Sequence, residues 1–566
     1  MDFRFSVDFR PKLLSTLKGY NLSTFSKDVM AGIIVGIVAI PLAIAFGIAS
    51  GVGPTEGLVT AIIAGLLISI FGGSKVQIGG PTGAFIVIIY GIIQQFGVAG
   101  LAIATIMAGV MLVLMGLFKL GSVIKFMPYP IIVGFTGGIA VTIFSTQMND
   151  LFGMGIENVP ANFIDKWVCY FSNIGSINWW SFAIGILSIL IIVFTPKFSK
   201  KIPGSLLAIV IMTFACWLLK TYMGDMEGVK NIATIGDLYT LPSGLPKWTM
   251  LGLPEGHSTI FSAMQALLPV AFTIAMLGAI ESLLSAMVAD GVIGDKHNSN
   301  TELIGQGIAN IVVPFFGGIP ATGAIARTMA NINNGGRTPI AGVVHTAVLL
   351  LVLLFLGKLV GAIPMPCLAG VLIMVSYNMS GWRTIVSMCR QSRSDILILF
   401  ATLLLTVIFD LTIAIEVGLV LAIVLFMRRI MTNTHISVIK DSLEVHHDGE
   451  GEDQQLTIPN HTEVFEIDGP FFFGIANKFE EMARTRSSAT VRIIRMRKVS
   501  FVDATGIHNL EIFINASLDS GRKVILTGVN ESVYHNLERT GIIDKVGKEN
   551  VLDNIHSALT RAEQIA

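Results

Sequence analysis

The charged residues of this chain are distributed so unevenly that a single soluble globule is excluded. Residues 431–566 carry 34 Asp, Glu, Lys and Arg in 136 positions, whereas the 430 residues before them carry only 42. Since 53% of the whole chain is hydrophobic, the weakly charged part is also too apolar to remain unfolded in water. We therefore expect a large membrane domain followed by a smaller domain of soluble composition.

Fourteen apolar segments are predicted, because a helix that spans a bilayer needs about 20 mostly apolar residues. They cover residues 28–50, 55–71, 82–96, 101–120, 128–147, 180–195, 203–222, 261–284, 301–317, 322–333, 339–361, 366–380, 395–409 and 411–429. The loops on the N-terminal side of these segments carry 13 Lys and Arg, and the opposite loops carry 5. This asymmetry predicts a multi-pass protein of the inner membrane with both termini in the cytoplasm.

Neither a cofactor nor a metal ion is predicted from the composition. The net charge is zero, so the composition does not indicate nucleic-acid binding. The four cysteines are too far apart for a metal-ligand motif or a disulfide framework. The sequence contains no G-x-x-x-x-G-K-[ST] phosphate loop and no recognisable pair of nucleophile and base, so we expect no enzyme.

The two halves of the apolar region resemble each other. Pro41 lies inside an apolar helix of the first half, and Pro269 lies in the corresponding helix 228 residues later. Two segments further on, Pro81 and Pro320 occur in similar glycine-rich strings 239 residues apart. Seven segments per half is an odd number, so the second half begins on the opposite side of the membrane. This pattern predicts inverted repeats; chance similarity between apolar, glycine-rich strings is the alternative.

The short segments at 82–96 and 322–333 each follow an extended stretch and open with small residues. Non-helical backbone at this depth is tolerated only where it lines a cavity or is buried in protein. A helix that starts there directs free N–H groups toward the membrane centre, so two inverted starts would form an anion site. The small residues that let a ligand approach are Gly83, Ala84, Gly323 and Ala324. Close helix packing through small residues is the alternative.

Of the charged residues inside predicted segments, Arg327 and Glu281 are the candidate functional groups, because an unpaired charge in the membrane is costly. Arg327 lies one turn into the second short segment and needs an acidic neighbour or an anionic substrate. Glu281 has Ser285 one turn later on the same helix face. Burial favours the neutral form of a carboxyl group, so Glu281 is a candidate proton carrier, or with Ser285 a cation site. The alternatives are a Glu281–Arg327 salt bridge and an arginine that reaches the interface at a segment end.

Several strings of the sequence together resemble the SulP/SLC26 anion transporters. They are PLAIAFGIASGVGPTEGL, GGPTGAF, GAIESLLSAMVADG, ELIGQGIAN, PATGAIARTMAN and FDLTIAIEVGLVLA. The bacterial branch that includes C4-dicarboxylate carriers is the most similar, and the cyanobacterial bicarbonate carriers are more distant. The resemblance implies an α-helical polytopic homodimer with 14 segments as 7+7 inverted repeats. In this uracil-permease-like fold a core domain (segments 1–4 and 8–11) moves against a gate domain (segments 5–7 and 12–14).

The resemblance also implies that the substrate lies between the starts of segments 3 and 10. By position, the substrate contacts fall on Thr82, Gly83, Ala84, Phe85, Gly323, Ala324, Ile325 and Arg327, and the ion-coupling pair falls on Glu281 and Ser285. Sodium-coupled bicarbonate members have a threonine where this chain has Ile325, whose side chain offers no oxygen. That difference favours proton coupling over sodium coupling.

The C-terminal part alternates short strands and helices, which indicates a small α/β domain. Residues 463–468 and 490–496 alternate like strands, and residues 475–486 and 504–518 have helical spacing. The string SFVDATG makes this part resemble a STAS domain, a family that phosphorylates a Ser or Thr in the corresponding loop. Thr505 holds the matching hydroxyl, and a plain threonine at a helix start is the alternative.

The sequence thus predicts a secondary active transporter of small anions, without metal or cofactor. Its predicted domains are a cytoplasmic N-terminal segment (1–27), a transmembrane transport domain (28–430), a linker (431–460) and a STAS domain (461–566). We expect proton coupling and a C4-dicarboxylate of the succinate or fumarate type. The alternatives are sodium-coupled transport of bicarbonate or sulfate and an uncoupled anion channel. The expected partners are the anion, a proton or sodium, the bilayer, a second copy and a cytosolic partner of the STAS domain.

Overall fold

The computed structural model describes most of the chain, in two compact units, Met1–Val420 and Leu421–Ala566. The described residues are 9–17, 19–124, 128–156, 159–160, 162–198, 203–239, 244–249, 252–254, 259–390, 392–409, 411–439, 442–445, 454–474 and 489–566. The helix predicted at 475–486 lies outside them.

The first unit is built almost wholly from helices. They are α1 (Lys12–Thr16), α2 (Leu22–Ala49), α3 (Pro54–Phe71), α4 (Ile86–Leu117), α5 (Gly121–Ile124), α6 (Tyr129–Thr146), α7 (Met148–Phe152), α8 (Phe163–Ser172), α9 (Trp179–Phe198), α10 (Gly204–Tyr222), α11 (Glu227–Lys230), α12 (Ile235–Leu238), α13 (Ile260–Ile293), α14 (Ser299–Val312), α15 (Ile325–Asn333), α16 (Ile340–Phe355), α17 (Gly357–Gly361), α18 (Met365–Met379), α19 (Trp382–Met388), α20 (Arg393–Ile408) and α21 (Leu411–Asn433), which ends in the second unit. Two short strands, β1 (Gly79–Gly80) and β2 (Thr322–Gly323), pair with each other.

Each of the fourteen predicted segments falls on one of these helices. Among the described residues, seven helices are long and apolar enough to cross a membrane: Leu22–Ala49, Pro54–Phe71, Gly83–Leu117, Tyr129–Phe152, Trp179–Phe198, Gly204–Tyr222 and Ile260–Ile293. The third and fourth predicted segments both lie in α4. The helical backbone geometry of α4 is interrupted at Gly97 (φ 67°, ψ −175°), which divides it into two helices. A positive φ is readily adopted only by glycine, so Gly97 lets the chain reverse where a longer loop was expected.

The helix that opens each half packs against a helix of the other half. α2 lies along α16, where Gly32 and Gly36 leave room for Val344 and Val348, and α13 lies along α4. This reciprocal packing is what two inverted repeats require. Pro41 and Pro269 sit inside α2 and α13 as expected.

The second proline pair is not equivalent in the structure, contrary to the sequence alignment of the halves. Pro81 follows β1, whereas Pro320 precedes β2. The repeats therefore correspond through their strands and half-helices, and the two prolines mark opposite ends of the extended stretches.

The second unit is an α/β domain. Its strands are β3 (His435–Ile439), β4 (Ser442–Val445), β5 (Gln454–Thr457), β6 (Thr462–Asp468), β7 (Val491–Lys498), β8 (Lys523–Thr527) and β9 (Val551–Leu552), and its helices are α22 (Ala504–Asp519), α23 (Glu531–Arg539), α24 (Ile542–Val546) and α25 (Ile555–Ile565). The main sheet has the order β3-β6-β7-β8-β9, with β3 antiparallel to β6 and the remaining pairs parallel. Apolar clusters cover both of its faces. β3 lies in the range predicted as a linker.

Candidate anion site

The two extended stretches of the inverted halves meet inside the first unit. Gly79 is opposite Gly323 and Gly80 is opposite Thr322, and the Ala324 N–H donates to the Ile78 carbonyl over 2.9 Å. Two residues separate β1 from a helical turn that begins at Gly83, and one residue separates β2 from α15. The strand pairing therefore brings the two helix starts side by side, although they are more than 240 residues apart in the chain.

Side chains satisfy the backbone groups that this non-helical stretch would otherwise leave unpaired. The Ile78 N–H donates to Thr328 Oγ1 over 3.1 Å, and the Gly323 N–H donates to Ser282 Oγ over 3.2 Å. Asn331 Nδ2 donates to a carbonyl of the first stretch. Sequence analysis missed these residues; the available signal was the position of hydroxyl and amide side chains one turn from the predicted site residues.

The first backbone N–H groups of both half-helices remain unused within their own helices. The earliest helical bonds are donated by Phe85 to Thr82 in the first and by Thr328 to Ala324 in the second. The N–H groups between these residues are therefore available to a ligand. The two helix starts have different surroundings: Ile325 is 42% exposed, whereas Gly83 is buried.

Helices of the predicted gate cover the first half-helix. A Cβ on Gly83 would lie 3.0 Å from Met379 Sδ of α18 and 3.3 Å from Ile143 Cδ1 of α6. Ala84 is fully buried, and the Phe85 side chain is 1% exposed and directed into helix packing near Gly278. Of the residues predicted here, these contribute backbone rather than side chain to the site.

Glu281 joins the first half-helix to α13. Thr82 Oγ1 donates to Glu281 Oε2 over 2.8 Å. Ser285 is buried, and its hydroxyl donates to Thr328 Oγ1 over 3.2 Å. The two members of the predicted ion-coupling pair therefore have separate partners in this structure.

Arg327 is the main cation behind the two helix starts. Its side chain is 2% exposed, and Nη2 donates to the Pro81 carbonyl over 3.1 Å. Nη1 is enclosed beside Gly80 and has no hydrogen-bond partner among the described residues. No ion pair joins Arg327 to Glu281 in the described part of the chain, so the salt bridge considered as an alternative is not formed. Arg327 instead adds an unneutralised positive charge to the donor ends of two helices.

Thr505, the predicted phosphosite, is exposed in the first turn of α22. The preceding Asp503 caps this helix, with its Oδ1 accepting from the Gly506 N–H over 2.7 Å. The hydroxyl is thus accessible, and the same position is typical of an ordinary threonine at a helix start.

Comparison with known proteins identifies the family. The model of the sulfate permease family matches residues 25–402, and the model of the STAS domain matches residues 454–558. The putative sulfate transporter YvdB of Bacillus subtilis (strain 168) is 42% identical over 547 residues, which cover 96% of this chain and 98% of that protein. The bicarbonate transporter BicA of Synechocystis sp. is 30% identical over 530 residues, which cover 90% of this chain and 89% of that protein.

Solved structures confirm the predicted fold class. The murine Solute Carrier 26 family member A9 anion transporter superposes with a TM-score of 0.84 at 18% identity, covering 98% of this chain and 94% of that one. The transmembrane domain of a cyanobacterium bicarbonate transporter BicA superposes with a TM-score of 0.60 at 31% identity, covering 71% and 98%. The chain is therefore a member of the sulfate permease family of multi-pass membrane anion transporters, and it carries a C-terminal STAS domain.

Proposed function

We propose that this protein is a proton-coupled secondary transporter of small anions, with a C4-dicarboxylate as the first candidate substrate. The observation that carries this proposal is the pairing of β1 with β2, which sets two helix starts beside buried Arg327. Backbone donors and one cation favour an anion of modest size. Glu281 is the ionisable acid bonded to this arrangement, through Thr82.

Proton coupling follows from the charge balance at the site. An ionised Glu281, which accepts a hydrogen bond from Thr82, repels an anion that binds at Gly83. Protonation of Glu281 removes that repulsion, so anion and proton favour each other's binding. Reciprocal coupling of this kind is the thermodynamic basis of symport.

Two other substrates and one other ion remain as named alternatives. The relatives described above are named for sulfate and for bicarbonate, and both anions suit a site made of backbone donors. Sodium requires several oxygen ligands, but the Glu281 carboxylate and the Ser285 hydroxyl are bonded to different partners. The present arrangement therefore favours a proton over sodium.

Uptake into proteoliposomes tests the proposal. Purified protein is reconstituted and offered labelled fumarate, succinate, sulfate, bicarbonate and chloride at two pH values, with sodium or choline as the cation. We expect saturable uptake of a dicarboxylate that rises as external pH falls and is unchanged by choline. Uptake that requires sodium and is flat with pH would reject proton coupling, and non-saturable flux would identify a channel.

A further inference from the structure

The chain that precedes α2 lies against the end of α3. The Lys12 N–H donates to the Gly72 carbonyl over 3.1 Å, and the rings of Phe9 and Phe71 stack with their centroids 6.5 Å apart. Phe71 is the last residue of α3, a helix long and apolar enough to cross a membrane. α1 is therefore held at the level where a membrane helix leaves the apolar layer, on the same membrane side as the start of α2.

The same stretch of chain also contacts the second half of the inverted repeat. Lys12 Nζ donates to the Lys296 carbonyl over 2.9 Å, and the Arg10 N–H donates to Thr301 Oγ1 over 3.4 Å. Lys296 lies between α13 and α14, and Thr301 lies in the first turn of α14. Residues 9–17 thus bridge two connections, the one that leads from α3 to β1 and the one that leads from α13 to α14.

The outward side of this stretch is apolar. Leu14 and Leu22 are 65% and 81% exposed, and Leu17 and Phe25 are exposed as well. Leu14 and Leu17 are three residues apart, as are Leu22 and Phe25, so each pair shares one side of its helical turn. Several large apolar side chains that stand together in water are unfavourable, and such a patch marks a site of interaction.

The exposed side of α2 continues this apolar patch into the membrane. Met30 and Ile33 are exposed, and their spacing from Leu22 and Phe25 places all four residues on one side of α2. α2 is itself long and apolar enough to cross a membrane. The patch on residues 14–25 is therefore continuous with the surface of a spanning helix, and acyl chains that cover the one also reach the other.

The charge of this stretch is complementary to an anionic lipid surface. Residues 9–27 carry four Lys and Arg and no Asp or Glu. Arg10 and Lys27, near its two ends, are exposed. Basic residues beside an apolar face are typical of segments that lie in the membrane interface, where they are attracted to anionic headgroups. A bilayer surface accounts for the apolar patch and the positive charge together.

We propose that residues 9–25 form a strap that binds anionic phospholipid on its outer side while its inner side holds the two halves of the transport unit together. The lipid belongs to the leaflet that the predicted orientation makes cytoplasmic. Apolar side chains of the strap enter the acyl boundary, and its cations meet the headgroups. The strap contacts the connections that precede β1 and α14 and not the anion site itself, so the inference holds whichever anion is carried.

Hydrogen–deuterium exchange of the full-length protein in lipid nanodiscs tests the strap. Nanodiscs of phosphatidylcholine alone are compared with nanodiscs that also contain phosphatidylglycerol, at low and high salt. We expect backbone exchange in residues 12–25 to slow by about tenfold with the anionic lipid, and high salt to remove most of this effect. The double variant Leu14→Ser, Leu17→Ser should lose the protection. Leu518→Ser, at an exposed leucine of the second unit, is the matched control and should keep it.

Lys27→Gln provides a second variant in case the double variant folds poorly. It removes one exposed charge and leaves the apolar patch intact, so it should weaken the response to phosphatidylglycerol at an unchanged melting temperature. Equal exchange of the wild-type strap in neutral and anionic nanodiscs would overturn the proposal. Protection that rises with protein concentration in detergent, without any lipid dependence, would overturn it as well and would assign the patch to a second copy of the chain.

Discussion

At the residue scale, Arg327 combines two properties that are rarely found together. It is enclosed by protein, and one of its terminal nitrogens donates to the Pro81 carbonyl, while the other has no partner in the part of the chain that the structure describes. An enclosed donor without a partner costs about 1–3 kcal/mol. Arg327 therefore lowers the free energy of unfolding in the absence of a ligand. A buried cation with a free donor is what a binding site for a mobile anion requires.

Replacement of Arg327 by alanine should abolish most uptake while leaving membrane insertion intact. Hydrogen bonds to charged groups contribute about 1.5–3 kcal/mol, so kcat/KM should fall by about 10-fold to 150-fold. Arg383→Ala, at an exposed arginine, is the control and should behave as wild type. Unchanged kinetics in a folded Arg327→Ala protein would reject a role of this residue in substrate binding.

Glu281→Gln should separate exchange from accumulation. The amide has the shape of the protonated acid and can still accept from Thr82, so anion exchange across the membrane should persist. It cannot release a proton, so uptake driven by a pH gradient should be lost. Exchange and gradient-driven accumulation are measured in the same vesicles, with exposed Glu227→Gln as the control. Accumulation at the wild-type level by Glu281→Gln would show that another group carries the proton.

At the scale of elements, β1 and β2 hold the site together through very few residues. A Cβ on Gly80 (φ 152°) would overlap Arg327 Nη1, and a Cβ on Gly323 would overlap the Gln77 amide. Glycine is thus required on both strands by the closeness of a buried polar side chain. The strand pair and the side chains behind it form one packed layer.

Gly323→Ala should therefore destabilise the protein and impair uptake together. Inserting a methyl group into a well-packed position costs about 1–3 kcal/mol, which should appear as a lower melting temperature in detergent. Gly291→Ala is the matched control, because a Cβ there meets nothing within 4 Å. It should be neutral or should stabilise α13 by about 0.5–1 kcal/mol. Equal melting temperatures for the two variants would show that the strand pair tolerates expansion.

At the scale of the whole molecule, the chain consists of two units with separate cores, divided near residue 420. The candidate anion site is formed by residues of the first unit. A solved relative, 31% identical, is the transmembrane domain of a bicarbonate transporter and covers 71% of this chain. The transport unit of this protein is thus expected to fold without the STAS domain.

Deletion from about residue 440 onward should leave substrate binding measurable. Binding of labelled succinate or sulfate to the truncated protein is compared with binding to the full chain, and melting temperature and oligomeric state are recorded for both. Loss of binding in a truncated protein that is folded would assign part of the site to the C-terminal unit. A change in transport rate with unchanged affinity would instead indicate that the STAS domain regulates movement.

The sequence by itself determined the division into membrane and soluble parts, the positions of the membrane segments and the two half-helices. These features follow from local physics: apolar runs, interruptions by glycine and proline, and the alternation of strands. The sequence also predicts an anion site between these helix starts, because short segments that open with small residues mark helix starts inside the membrane.

Only the tertiary structure decided which atoms meet. Thr82 bonds Glu281 across 199 residues of sequence, and Arg327 turns to Pro81 rather than to Glu281. Lys166 lies between two predicted membrane segments, and the structure buries it near the ring of Tyr90. Periodicity shows which face of a helix is apolar, but the partner of that face depends on how all the helices pack. Contacts between distant segments therefore depend on the arrangement of all the helices, and they cannot be read from the local sequence pattern.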